Sequence, residues 1–293
     1  MGGAFVINAA QRGGPPTPIP IVFCADDFGL EAGVDQAIVA LAQLGRISAT
    51  GCLVQAPNFE QSALALKGLP IDLGLHLNFT EPLGQTGLCL PLGELLWRTY
   101  SGLINRQAVA TQIDTQLDLF EKHVGQAPDF IDGHLHVHQF PVVRDVLLQA
   151  VLRRYSNKLP WIRDTRPAPL SAQLPLMQRL KARLIGALGA SSLMRLAKQS
   201  GMQSNHGFAG AYDFDRPHPA YETMLAAWLE QAAPQMLLMV HPATHASPTL
   251  AFGTDRVQEY RVLSGAAFAS RLQQHGLQIT RLSKLLAHPG HKT

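Results

Sequence analysis

Cysteine and charge are both scarce in this chain. Its 293 residues include three cysteines, Cys24, Cys52 and Cys89. They are far apart and show no C-x-x-C spacing, which excludes a disulfide framework and a structural zinc knuckle and points to a reducing, cytoplasmic setting. Charged residues make up 15% of the chain, and Lys and Arg exceed Asp and Glu by only 24 to 21. So small an excess, spread along the chain, gives no basic footprint for nucleic acid. No apolar run approaches the roughly 20 residues needed to cross a bilayer, so no transmembrane span is expected. The first residues lack a basic start and a useful h-region. With Gly13, Gly14, Pro15, Pro16 and Pro18 they read as a flexible tail over 1–18. No internal repeat is visible.

What is present is a 46% hydrophobic chain of globular composition, long enough for one large core. Ile19 to Ala25 is a continuous, β-branched apolar run that reads as a strand buried on both faces, and it stops at Asp26-Asp27-Phe28-Gly29. Val34, Ala37, Ile38, Leu41 and Leu44 then recur at helical spacing up to Gly45. The rhythm repeats: strands at 47–54, 71–77 and 130–138, helices at 58–67, 108–124 and 142–155. Later strand candidates lie at 160–163, 235–240 and 277–280, with helices at 219–231 and 266–274. Such alternation predicts parallel βαβ units, and about seven or eight of them suggest a TIM-barrel-like (β/α) barrel, parallel strands inside and helices outside, as one domain over 19–293. Two stretches interrupt it. Residues 80–106, rich in Pro and Gly, read as a long loop insertion able to act as a lid. Residues 170–201 form a basic amphipathic helical segment with Leu176, Leu180, Leu184 and Leu188 opposite Arg179, Lys181 and Arg183. The expectation is a helix pair packed on the barrel by its leucines, with a lid, a homodimer face or contact with lipid or a lipid-linked substrate as the alternatives.

Active sites of parallel barrels lie where the strands end. Those ends carry Asp26-Asp27, His76 with Asn78 beyond it, Asp132-Gly-His134-Leu-His136-Val-His138, Arg163, and His241-Pro242. Adjacent Asp26 and Asp27 repel unless a cation or hydrogen-bond donors lie between them. In an extended strand Asp132, His134, His136 and His138 share one face, and a carboxylate with two imidazoles makes a sound site for a divalent ion. His241 is placed to donate a proton, and Arg163 to orient Asp26 or contact substrate.

The motifs Ala25-Asp-Asp-Phe-Gly29, Gly74-Leu-His-Leu-Asn78, Asp132-Gly-His-Leu-His-Val-His138 and Val240-His-Pro242, in this order and at these intervals, resemble the YdjC-like carbohydrate deacetylase family. That family includes chitooligosaccharide deacetylase and hopanoid-biosynthesis-associated members. The likeness runs from about Ile19 to about Leu286. It implies a distorted (β/α) barrel, one divalent metal ion, magnesium or zinc, and hydrolysis of an N-acetyl group on a sugar. Carried over residue by residue, it makes Asp27, His76 and His134 the metal ligands, Asp26 the catalytic base and His241 the residue that protonates the departing amine. Arg163, His136, His138 and Asn78 become candidates for binding or orienting substrate. The chain departs from the usual Asp-Ser-His-His-His-Val-His pattern at Gly133 and Leu135. On an extended strand Leu135 points away from the ligands, so the metal site is expected to survive. The alternatives on the same barrel are a metal-dependent phosphoesterase, another amidohydrolase, or a carbohydrate-binding protein without catalysis.

Overall fold

A computed structural model describes residues 17–84, 86–169, 172–214 and 219–287. The expected tail therefore lies, apart from Thr17 and Pro18, outside the described residues. The chain runs β1 (Ile19–Phe28), α1 (Ala32–Gln43), β2 (Ala49–Cys52), α2 (Phe59–Ser62), β3 (Asp72–Leu77), α3 (Leu92–Tyr100), α4 (Arg106–Val124), β4 (Phe130–Gly133), α5 (Val143–Arg154) and β5 (Trp161–Ile162). It continues through α6 (Leu176–Ala187), α7 (Ala190–Gln199), β6 (Phe208–Ala209), α8 (Tyr221–Leu229), β7 (Leu237–Val240), α9 (Gly253–Ser264), α10 (Ala266–Gln274), β8 (Leu277–Ile279) and α11 (Leu282–Ala287).

All eight strands belong to one sheet, ordered β5-β4-β3-β2-β1-β7-β6 with β8 beside the N-terminal end of β1. Every pairing is parallel. Bridges from Ile162 to Ser204 and from Pro167 to Phe208 link the two ends of this path, so the sheet curls into the distorted (β/α) barrel expected. Parallel strands are covered on both faces, and β1 is buried from Ile21 to Phe28. Helix α1 closes one flank with Val34, Ala37, Ile38 and Leu41 turned inward.

Three expectations need correction. The strand expected over 130–138 stops at Gly133. His134 to Gln139 form a 3-10 turn in which Leu135 and His136 are left-handed, with φ of 50° and 60°. The two-residue alternation that would align Asp132, His134, His136 and His138 therefore fails, since it holds only for extended backbone. Residues 80–106 are not one loop, because Leu92, Leu95, Leu96 and Thr99 keep helical spacing within α3, between proline- and glycine-rich flanks.

The third concerns 170–201, which forms α6 and α7. Leucines of α7 pack inward as expected, with Leu193 and Met194 buried. In α6 the arrangement is inverted: Gln178 and Ala182 are buried, while Leu176, Met177, Leu180 and Leu184 are exposed. The cause is steric. Gln178, Ala182 and Gly186 recur every four residues, and a Cβ on Gly186 would sit 2.9 Å from Pro167 Cδ, so this face lies against the barrel with no room for a side chain at 186. Lys181 then reaches the Tyr212 carbonyl at 2.6 Å and Asp213 at 3.1 Å, and fixes the helix in that rotation.

Candidate active site

Two adjacent strand residues normally face opposite ways, yet Asp26 and Asp27 both line one cavity. A bulge accounts for this. Ala25 pairs with Thr50 and Phe28 with Cys52, so three steps on β1 match two on β2. The extra residue is taken up at Asp27, whose φ is 71°. Asp tolerates the left-handed region better than most residues, at a cost of roughly 1–2 kcal/mol.

Three ligand-type atoms converge there. Asp27 Oδ1 lies 3.1 Å from His134 Nδ1 and 3.5 Å from His76 Nε2, all within 4.8 Å of one another. His76 is aimed by Asp132, whose Oδ1 is 2.7 Å from His76 Nδ1. A carboxylate only accepts, so Nδ1 carries a hydrogen and Nε2 is left to face Asp27. Such outer carboxylates typically orient metal-binding histidines. Asp27 Oδ2 is held 2.6 Å away by Arg256 of α9, which leaves Oδ1 for the shared point. This donor set, two imidazoles and one carboxylate with its outer partners in place, fits a divalent ion. Cys24, Asp26 and Asp132 also lie close together, but that cluster already encloses the Arg163 guanidinium.

Arg163 is fully buried and grips Asp26 with both arms, Nη1 to Oδ2 at 2.7 Å and Nη2 to Oδ1 at 2.6 Å. Its Nη2 also lies 2.5 Å from Asp132 Oδ2, out of line for a hydrogen bond but close enough to neutralise it. The electrostatics follow. Burial pushes the Asp26 carboxyl up, yet Arg163 and His76 outweigh it and hold it below its usual value. Asp27 is likewise held well down against burial by Arg256 and His134. Burial pushes His76 down, but Asp132 and Asp26 overcome it and raise it to about 9. The site thus gathers carboxylates that stay ionised and keeps a proton where a cation would neutralise them.

His241 ends β7 beside this cluster. Its backbone N–H donates to Glu259 at 2.5 Å, and its Nδ1 has no hydrogen-bond partner among the described residues. Burial lowers its proton affinity to about 4, with Asp27 opposing and Arg256 assisting. His136 lines the cavity and meets the Phe208 ring edge-on. His138 sits beneath it, fully buried, with Nε2 3.1 Å from the Arg163 carbonyl, and so pins the backbone that carries Arg163. Asn78 turns the loop after β3, accepting from Thr80 and Glu81 N–H and donating to the Glu81 carbonyl. That places Glu81 Oε2 3.9 Å from His134 Nε2. Leu135, expected to point away, forms part of the cavity wall.

Sequence reasoning assigns no role to Arg256 or Glu259, and it counts Asp132 as a carboxylate of the metal site without seeing that it aims His76. Only Asp132 carries a local signal, since it shares a motif with His134. Arg256 and Glu259 sit in a helix of no marked pattern and reach their partners across 229 and 18 residues.

Comparison with known proteins points the same way. A carbohydrate deacetylase of Homo sapiens is 26% identical over 296 residues, covering 90% of each chain. A chitooligosaccharide deacetylase of Proteus mirabilis is 33% identical over 144 residues, covering 45% of this chain and 56% of that protein. Among solved structures, a candidate cellobiose-phosphate cleavage protein of Enterococcus faecalis superimposes with a TM-score of 0.65 at 19% identity, over 92% of this chain and 99% of that one. A peptidoglycan N-acetylglucosamine deacetylase gives 0.52 at 13% identity, over 92% and 89%. Both support the barrel alone. No helix among the described residues is long and apolar enough to cross a membrane. The family model for YdjC-like proteins matches residues 20–274, and the chain belongs to that family.

Proposed function

We propose that this protein is a metal-dependent hydrolase that removes the N-acetyl group from an acetylated amino sugar. The observation that carries the reading is the convergence of Asp27 Oδ1, His76 Nε2 and His134 Nδ1 beside an Arg-clamped Asp26. The names of the human and Proteus relatives supply the substrate class.

Asp27, His76 and His134 would hold the ion, which when bound supplies Lewis acidity and lowers the pKa of water. The donor set suits zinc, magnesium and other divalent ions alike, and availability selects among them. Asp26 is the base. Arg163 fixes its direction, and since Oδ1 accepts from both Arg163 and Cys24 while Oδ2 accepts from Arg163 alone, Oδ2 keeps a lone pair for the proton. An amide nitrogen cannot leave as an anion, so it must be protonated first. Asp26 takes the proton of the attacking water, and His241, neutral at rest, receives it as negative charge develops on the tetrahedral centre and delivers it to nitrogen. Phe214 packs edge-on against its ring, and Glu259 fixes its backbone. All three cysteines are free, in keeping with a cytoplasmic setting.

The test is acetate release from N-acetylglucosamine oligomers with added zinc, magnesium, manganese or cobalt, alongside p-nitrophenyl phosphate. Acetate release without phosphate release supports the reading. Phosphate release alone makes the protein a phosphoesterase, and neither product with any metal makes it a binding protein.

A further inference from the structure

The two imidazoles that converge on Asp27 are not served alike. His76 turns Nε2 to the shared point and has Asp132 2.7 Å from its other nitrogen, Nδ1. His134 is turned the other way round, with Nδ1 3.1 Å from Asp27 Oδ1 and Nε2 directed to the loop between β3 and α3. A histidine that holds a metal through one ring nitrogen almost always donates the N–H of the other to a carboxylate, a carbonyl or water, which fixes the ring. At His134 the carboxylate standing there is Glu81, whose Oε2 lies 3.9 Å from Nε2, about 1 Å longer than a hydrogen bond.

The backbone that carries Glu81 is tied down at every step. Asn78, just past β3, accepts from the N–H groups of Thr80 and Glu81 at 3.0 and 2.9 Å and donates to the Glu81 carbonyl at 2.8 Å. Gln116 of α4 in turn grips the Asn78 backbone, accepting from its N–H and donating to its carbonyl, each at 2.8 Å. The Leu90 N–H donates to the Phe79 carbonyl at 2.8 Å and closes the loop at its base. The Glu81 side chain, by contrast, is half exposed. A long side chain on a fixed backbone closes a gap of this size by rotating, with no movement of the loop.

The gap itself agrees with a cation-free ring. Asp27 Oδ1 only accepts, so His134 Nδ1 carries a hydrogen. An ion bound at Nδ1 takes that place, and the neutral ring then has its hydrogen on Nε2, toward Glu81. We infer that Glu81 is a positioning residue: its carboxylate accepts from His134 Nε2–H when the cation binds and locks the ring in the coordinating orientation. Glu81 plays this part only if Asp27, His76 and His134 share an ion, as proposed above. Two other uses of Glu81 fit less well. A further ligand would have to reach the Asp27 side of the ring, whereas Glu81 stands at the other nitrogen. A substrate contact would act on turnover and leave affinity for the ion as it is.

The experiment titrates zinc by calorimetry into the chelator-treated full chain as wild type, Glu81→Ala and Glu81→Gln. Loss of such a partner usually costs 10- to 100-fold in affinity, and water replaces a half-exposed one in part, so Glu81→Ala should bind zinc about 10-fold more weakly, still at one ion per chain. Gln accepts the same bond through its amide oxygen and should recover most of that loss. In the zinc-loaded wild type the His134 ring N–H should be visible by nitrogen-15 NMR, and in Glu81→Ala it should be lost to exchange with water. The zinc concentration that gives half-maximal acetate release from triacetylchitotriose should rise in step with the loss of affinity. Equal zinc affinity in Glu81→Ala and wild type overturns the inference, and turnover lost at unchanged affinity makes Glu81 a substrate contact. An affinity that falls equally in the Ala and Gln variants marks a charge effect alone and overturns it too. If the wild type binds zinc and Glu81→Ala binds it as tightly, the shared-ion reading stands and the role of Glu81 falls. If the wild type takes up no ion, the shared-ion reading falls and takes that role with it.

Discussion

Asp132 Oδ1 stands 2.7 Å from His76 Nδ1, and the same carboxyl reaches toward Arg163 with its other oxygen. One buried carboxylate thus aims a candidate ligand and steadies the guanidinium that clamps Asp26. Replacing Asp132 with Asn keeps the shape and removes the charge. Divalent-ion affinity, read by calorimetry, should fall about 10- to 100-fold, the usual cost of losing such an outer partner.

The same pair has a pH signature. His76 is raised from 6.5 to about 9, so the cation-free protein holds a proton that an entering ion must displace. Below pH 9 ion binding should release close to one proton, and affinity should rise about tenfold per pH unit. In the cation-free protein the stability that His76 contributes is complete below about pH 6.5 and is lost as pH rises through about 9. Melting temperature without metal should therefore fall across that window in the wild type and much less in Asp132→Asn.

Asp26 and Asp27 are neighbours with different tasks, which their variants should separate. Asp26→Asn leaves the three converging atoms intact, so it should bind metal normally while kcat falls about 10²- to 10⁴-fold. Arg163→Met should act on stability instead, since it strands buried Asp26 and Asp132 without a counter-charge, at a cost of about 3–5 kcal/mol measured by denaturant unfolding.

Much of this site is legible in the sequence, and the boundary between what is and what is not has a physical basis. A strand buried on both faces shows as an unbroken apolar run, and its polar last residues mark the barrel rim, so Asp26, Asp27, His76 and His241 stand out. The bulge that turns Asp26 and Asp27 the same way depends on register with β2, which no local pattern records. The left-handed turn at Leu135 and His136 hides in a run that alternates like a strand. Arg256 meets Asp27 only because α9 packs against the rim, and the leucines of α6 face outward because the close approach of Gly186 to Pro167 turns the Gln178, Ala182 and Gly186 face to the barrel. Amphipathic spacing locates an apolar face without saying which way it points.

Glu259 supplies a stability test away from the metal ligands. It accepts from His241 N–H and the Tyr212 hydroxyl, and burial raises its carboxyl from 4.5 to about 7. The folded state therefore prefers the protonated form. The resulting stability is complete below about pH 4.5 and declines as pH rises toward 7, by on the order of 3 kcal/mol. Glu259→Gln resembles the protonated acid, so the gap between variant and wild type in urea midpoint should widen in the variant's favour over that range.

The central claim is that Asp27, His76 and His134 share one cation, and the direct measurement is metal stoichiometry. Titrated calorimetrically with zinc or magnesium after chelator treatment, the wild type should bind one ion per chain, and the double variant Asp27→Asn with His134→Ala should bind none at the same site. Undiminished stoichiometric binding in that variant would contradict the account.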